Sequence, residues 1–142
     1  GKEIGLIIYC LSIVAAKILL ETVNYVEHYG LVRERGKPVS MRHSWNSNHF
    51  LSSLYLFNVT RHSDHHRAPN LKFWELDPFY ESAPILPYGY LGMLYLILFL
   101  PPLYHRIMAK KLIDWDLNYA SEEERKLANV QIRNSGITYL YN

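Results

Sequence analysis

Residues 4–25 run without proline and with only two charges, Lys17 and Glu21, and then pass directly into Asn24-Tyr25-Val26-Glu27-His28-Tyr29-Gly30. A membrane-crossing helix needs about 20 mostly apolar residues, and this run supplies them if Lys17 snorkels or faces other protein. The pattern predicts one long helix from Ile4 to about Tyr29, closed by Gly30 at the position where a left-handed residue ends a helix. A secretory signal is excluded by the lack of a basic start and of a small-residue cleavage site. The chain opens at the edge of the apolar run with no Met, so the expectation is the C-terminal portion of a longer or split polypeptide. The lower end of the helix, with Glu21, Asn24, Glu27 and His28, is too polar for lipid and is expected to face a bundle interior or the water boundary.

The rest of the chain divides by composition. Residues 31–40 hold Arg33, Arg35 and Lys37 with Gly36 and Pro38, a basic loop that the positive-inside tendency places in the cytoplasm. A second helix is expected from Met41 or Ser44 to His66, with Phe50, Leu51, Leu54, Phe57 and Val59 as its apolar stripe. Arg67 to Pro84 reads as a loop rich in proline and aromatics, including Phe73, Trp74, Phe79 and Tyr80, suited to a headgroup boundary. Residues 85–108 are apolar but cut by Pro101 and Pro102, which favours an interfacial or re-entrant helix over a span. From residue 109 the tail is soluble in character, with Ser121 capping an acidic first turn on a helix to about Val130. The fold class is therefore all-α, an integral-membrane helical bundle divided at 1–30, 31–84, 85–108 and 109–142.

The net charge of +2 comes from scattered basic residues and leaves no electrostatic footprint for nucleic acid. Cys10, the single cysteine, can form no intrachain disulfide and reads as a small buried apolar residue. There is no G-x-S-x-G elbow, no phosphate-cradling glycine loop and no H-E-x-x-H motif.

Chemistry-bearing residues concentrate instead in Arg61-His62-Ser63-Asp64-His65-His66. On a helix His62, His65 and His66 stand at i, i+3 and i+4, so at least two imidazoles share a face within reach of one metal. His65 and His66 diverge by about 100° around the axis, so they can also serve two different ions. A surface cluster or pH-sensitive patch is the competing reading, and polar residues beside a membrane segment weigh against it. His28 has Asn24 one turn back and Glu21 a further turn back. Metal-bound imidazoles hand their second nitrogen to a carboxylate, amide or carbonyl, and Glu21, Asn24, Glu27 and Asp64 are the stock for that role. His43, Trp45, Asn46, Asn48 and His49 form a third polar group in which Asn46 and His49 share a face; it can add ligands to the site, or support it and cap and anchor the second helix. His105 reads as interfacial.

The three segments Asn24–Leu31, His43-Ser44-Trp45-Asn46-Ser47-Asn48-His49 and Arg61–His66, in that order, closely resemble the C-terminal half of the integral-membrane alkane 1-monooxygenases and the related xylene monooxygenase hydroxylase component. The resemblance implies a fold like that of the membrane fatty-acid hydroxylases and desaturases. It also implies two non-haem Fe ions, with His28, His62, His65 and His66 as ligands and earlier histidine boxes in an N-terminal portion supplying the others. O₂-dependent hydroxylation of an unactivated C–H bond in an alkane or alkyl-arene would follow, with electrons from rubredoxin or a ferredoxin-type donor. The setting would be a lipid bilayer, in bacteria the inner membrane, with the metals toward the cytoplasm and this portion inactive alone. The loop from Arg33 to His43 is short, and Val59-Thr60 precede the last box where Leu-Gln is expected; neither change removes a ligand. A lipid desaturase or hydroxylase, and a non-catalytic zinc- or copper-binding membrane subunit, are the alternatives.

Overall fold

A computed structural model of the chain describes residues 1–78 and 81–136. Phe79 and Tyr80, part of the expected interfacial aromatic stretch, lie outside the described residues, as does the end of the tail from residue 137.

Helix α1 runs from Lys2 to His28, and 27 residues at 1.5 Å each make it about 40 Å long. It alone among the described helices is long and apolar enough to cross a membrane. Residues 2–21 are all exposed, Cys10 among them although a buried position was expected for it, and the buried residues of α1, Val26 and Glu27, are at its foot. Gly30 follows with φ +69°, the left-handed closure that its sequence position predicted. A Cβ there would lie 2.6 Å from the Leu112 side chain, so conformation and packing both demand glycine.

The expected continuous helix over 41–66 is not formed. In its place come a 3₁₀ turn at Met41–His43, an extended segment, helix α2 at Phe50–Tyr55 and helix α3 at His62–Arg67. Serine and asparagine account for the first break, because their side chains offer the backbone alternatives to helical hydrogen bonds. Asn46 pairs with Ile85 in an isolated parallel bridge through Asn46 N–H to Pro84 O and Leu86 N–H to Asn46 O, both 2.8 Å. The second break falls at Phe57 and Asn58, with φ of 50° and 57°. The residues of the expected apolar stripe, Phe50, Leu51, Leu54, Phe57 and Val59, are all exposed.

Helix α4 spans Tyr90–Phe99 and α5 spans Pro101–Asn118, with Pro101 and Pro102 opening α5. Proline is at home in a first turn, where its missing N–H is not needed. Helix α6, Glu122–Ser135, starts at Ser121 with reciprocal Ser121–Glu124 capping bonds. It extends five residues past the expected end at Val130. The core gathers around the foot of α1: Val26, Tyr29, Trp45, Tyr90, Met93, Tyr104, Met108, Leu112 and Trp115 form one buried cluster, and α6 adds Ala128.

Glu124 joins α6 to this core although it is a carboxylate, 1 % exposed. Arg42 grips it from Nε at 2.8 Å and Nη2 at 3.1 Å, and His43 Nε2–H reaches it at 2.7 Å. Burial by itself would raise the carboxyl, but hydrogen bonds from Arg42, the Ser121 N–H and His43 outweigh it and hold the group at about 2.

Two outcomes are expected. Gly30→Ala should destabilise the fold by about 1–3 kcal/mol, combining left-handed strain with overpacking against Leu112, and thermal unfolding of the full-length protein will measure it. Because the Glu124 carboxyl is depressed on folding, its stabilisation is present above the ordinary carboxylate value and is lost as pH falls through about 2. Acid unfolding of Glu124→Gln should lack this component, and an acid limb identical to wild type would refute it.

Candidate metal centre

The last turn of α1 and the short helix α3 bring three imidazoles to one point. His62 Nε2 lies 3.2 Å from His28 Nε2, and His66 Nε2 lies 3.4 Å from the same atom. One ligating nitrogen from each residue falls within 4.8 Å of the other two. Nitrogens held at about 2.0–2.1 Å from one ion stand about 2.9 Å apart in octahedral and about 3.4 Å apart in tetrahedral arrangement, so these separations suit a shared cation. His65 stands off this trio, its ring centroid 5.9 Å from that of His62 and 6.2 Å from that of His66.

The hydrogen bonds around the rings fit the same reading. His28 Nδ1 lies 3.0 Å from the His43 carbonyl oxygen. A carbonyl only accepts, so the proton of neutral His28 is on Nδ1 and Nε2 presents its lone pair to the cluster. Glu27 Oε2 lies 3.3 Å from His62 Nε2. Lone-pair atoms from His28 and Glu27 therefore converge on His62, an arrangement that a proton or a metal cation must bridge. His62 Nδ1 is buried without a hydrogen-bond partner among the described residues. Burial, reinforced by the neighbouring histidines, depresses His62 to about 3, and the same causes lower His66. Both rings are thus neutral at physiological pH, the form that ligates metal.

Of the four residues expected to serve the rings, Glu27 touches one. Glu21 is drawn to Lys17 at 2.5 Å, and Asn24 hydrogen-bonds to Glu21 on the exposed side of α1. Asp64 is fully buried, and its oxygens accept from Arg67 Nε at 2.7 Å and the Asp77 N–H at 2.8 Å. It ties the loop after α3 back onto that helix.

The segment 43–48 supports α3 from beneath. Asn46 Oδ1 accepts from the Ser63 N–H at 2.9 Å, while Asn46 and Asn48 side-chain amides both donate to the Pro78 carbonyl. Ser63 Oγ bonds to the Met41 carbonyl, and Trp45 Nε1–H donates to the Tyr29 carbonyl at 2.9 Å. His43 faces Glu124, away from the trio, and exposed His49 precedes α2, packed beside Gly89. His105 Nδ1 pairs with Tyr29 Oη at 2.9 Å. Sequence reasoning missed Glu124 and Trp115, whose Nε1–H donates to the Arg42 carbonyl at 2.7 Å. The Ser121–Glu124 spacing announced a capping pair, but nothing local announced its partners some 80 residues upstream.

Asp64→Ala should leave the Asp77 N–H without its acceptor, cost about 1–3 kcal/mol and loosen α3. Asp64→Asn keeps an acceptor oxygen and should cost less, and thermal unfolding with metal analysis of the two variants will rank them.

The family description "Fatty acid desaturase" matches residues 3–97. Alkane 1-monooxygenase 2 of Pseudomonas aeruginosa is 45 % identical over 125 residues, 84 % of this chain and 32 % of that protein. The alkane 1-monooxygenase of Ectopseudomonas oleovorans is 42 % identical over 70 % of this chain and 26 % of its own length. The xylene/toluene monooxygenase hydroxylase component of Pseudomonas putida is 36 % identical over 96 % of this chain and 36 % of its own length. The chain thus spans about a third or less of these relatives. With the family match running from α1 through both histidine-bearing segments into α4, the chain belongs to the fatty acid desaturase family.

Proposed function

We propose that this chain forms part of the metal centre of a membrane monooxygenase that hydroxylates an unactivated C–H bond of an alkane or alkyl-arene. The observation that carries the reading is the convergence of His28, His62 and His66 nitrogens at the foot of the one helix suited to a membrane. The names of the similar proteins point to the reaction class. His28, His62 and His66 would hold one iron, and His65, turned aside, would serve a second whose remaining ligands come from outside this chain. When bound, the two irons would activate O₂ with electrons from a soluble donor such as rubredoxin or a ferredoxin-type protein.

The residues here have four tasks in that scheme. The His43 carbonyl sets the tautomer of His28, and Glu27 places a carboxyl oxygen beside His62. Buried Asp64, Ser63 and Asn46 hold α3 in register. The apolar length of α1 provides contact with a hydrocarbon dissolved in lipid, which already gains about 0.8 kcal/mol per buried CH₂. Arg33, Arg35 and Lys37, directly after α1, orient the metal end toward the cytoplasmic face of a bacterial inner membrane.

The test is alkane and methylarene hydroxylation by the full-length protein in membranes, alongside metal analysis. His62→Ala, His65→Ala and His66→Ala should each abolish turnover and lower iron content, and wild-type iron and rate in all three would end the assignment. Zinc bound at one ion per chain with no O₂-dependent turnover would identify a non-catalytic metal subunit, and lipid unsaturation among the products would identify a desaturase. A groove of about 470 Å³ between α1 and α4 is lined by Ile18, Thr22, Tyr25, Ile97 and Leu98, with the Lys17–Glu21 pair at its edge. Ile18→Trp should therefore shorten the longest alkane accepted at unchanged iron content. Ala16→Trp and Leu20→Trp should do so less, and equal chain-length profiles across all three would argue against entry along this helix.

A further inference from the structure

Glu124 lies 81 residues downstream of His43, yet its carboxylate is buried and points at the segment that aims His28. The Ser40 N–H donates to His43 Nδ1 at 2.9 Å, so the proton of the neutral ring sits on Nε2 and is donated to Glu124 Oε1 at 2.7 Å. Both ring nitrogens are thereby pinned. His43 is also the last residue of the 3₁₀ turn, and its carbonyl is the acceptor for His28 Nδ1–H. On one side the Arg42 carbonyl is held by Trp115 Nε1–H; on the other the Trp45 N–H is held by the Glu27 carbonyl at 2.8 Å. The peptide bearing this carbonyl is thus held at its neighbours Arg42 and Trp45 and, through the His43 ring, at Glu124.

We propose that Glu124 is a positioning residue for the metal centre, fixing through His43 the carbonyl that sets the tautomer and aim of His28. This rests on the assignment of His28, His62 and His66 as ligands. The partner of His28 is a backbone oxygen, so its position depends on how the turn at 41–43 is held and not on the identity of one facing side chain. Arg42 neutralises the buried carboxylate with two hydrogen bonds, which leaves Glu124 ionised as a strong acceptor for His43 Nε2–H. Loss of an outer partner of this kind typically weakens metal binding about 10- to 100-fold.

The experiment uses the full-length protein in nanodiscs, loaded with cobalt(II), read by chelator competition and by the visible absorption of the bound ion. Glu124→Ala should release cobalt about 10- to 100-fold more readily and shift the absorption bands. Glu124→Gln keeps an oxygen for His43 Nε2–H and should restore both. Arg125→Ala loosens the same end of α6 by removing bonds to the Asp116 carbonyl without touching His43, and should match wild type. Should Glu124→Ala fail to accumulate, Glu124→Asp draws the carboxylate back by one methylene and should give a smaller shift in the same direction. Wild-type affinity and spectrum in whichever of these two variants is obtained would overturn the proposal, as would equal effects from Arg125→Ala. His62→Ala separates the two levels: cobalt lost there but kept in Glu124→Ala refutes positioning alone, and cobalt kept in both refutes the metal site itself.

Discussion

The docking of the segment 42–48 against the foot of α1 is the contact on which the rest of the structure depends. The Trp45 N–H caps the Glu27 carbonyl, the Trp45 indole caps the Tyr29 carbonyl and the His43 carbonyl receives His28. The end of a helix leaves four carbonyls without intrahelical partners, and here two of them recruit the neighbouring segment. Once that segment is seated, its other edge has groups left to offer, and Asn46 and Ser63 join it to α3. The histidines of α3 meet His28 because both are built on one strip of backbone.

Legibility in the sequence followed the range of the interactions. The helix α1, its closure at Gly30 and the cap at Ser121 are local events, governed by residues a few positions apart, and were readable; Pro101 and Pro102 read as a cut within one apolar segment, whereas they open a second helix, α5, that runs on to Asn118. The grouping of His28 with His62, His65 and His66 came from the resemblance of three ordered segments to the alkane 1-monooxygenases; spacing alone joined only the three histidines of α3. The path of residues 44–61 was not readable. Phe50, Leu51, Leu54 and Phe57 mimic a helical stripe, but the side chains of Asn46 and Ser63 and the bridge to Ile85 commit the backbone elsewhere. A periodic pattern reports which side chains are apolar and is silent on whether the backbone has a better partner. Asp64 and Glu124 show the same limit: carboxylates beside or far from the histidines look alike until their cations and N–H donors are located.

Beside the apolar core, this chain buries more polar groups and exposes more apolar ones than a water-soluble domain does. The buried set includes Glu27, Asn46, Ser63, Asp64 and Glu124, whereas Phe50, Leu54, Phe57, Trp74 and nearly the whole apolar length of α1 are outside. Each buried polar group named has a partner within about 3.3 Å, so this burial leaves none of them unsatisfied. An interior organised by hydrogen bonds is directional and tolerates little displacement, which suits a site that must hold three nitrogens at fixed spacing. The apolar exterior then meets lipid or the remainder of a longer protein.

The 40 Å reach of α1 has a mechanical meaning. Bilayers differ in thickness by a few ångströms, and a spanning helix accommodates the difference chiefly by tilting. A rod clamped at one end turns about the clamp: tilt moves the far end by several ångströms and the near end hardly at all. Here the clamp is the foot, where Val26, Tyr29 and Trp45 are packed and the carbonyls of Glu27 and Tyr29 are tied. Changes in the surrounding membrane would be taken up at the first residues of the chain, while the nitrogens of His28, His62 and His66 remain at the pivot.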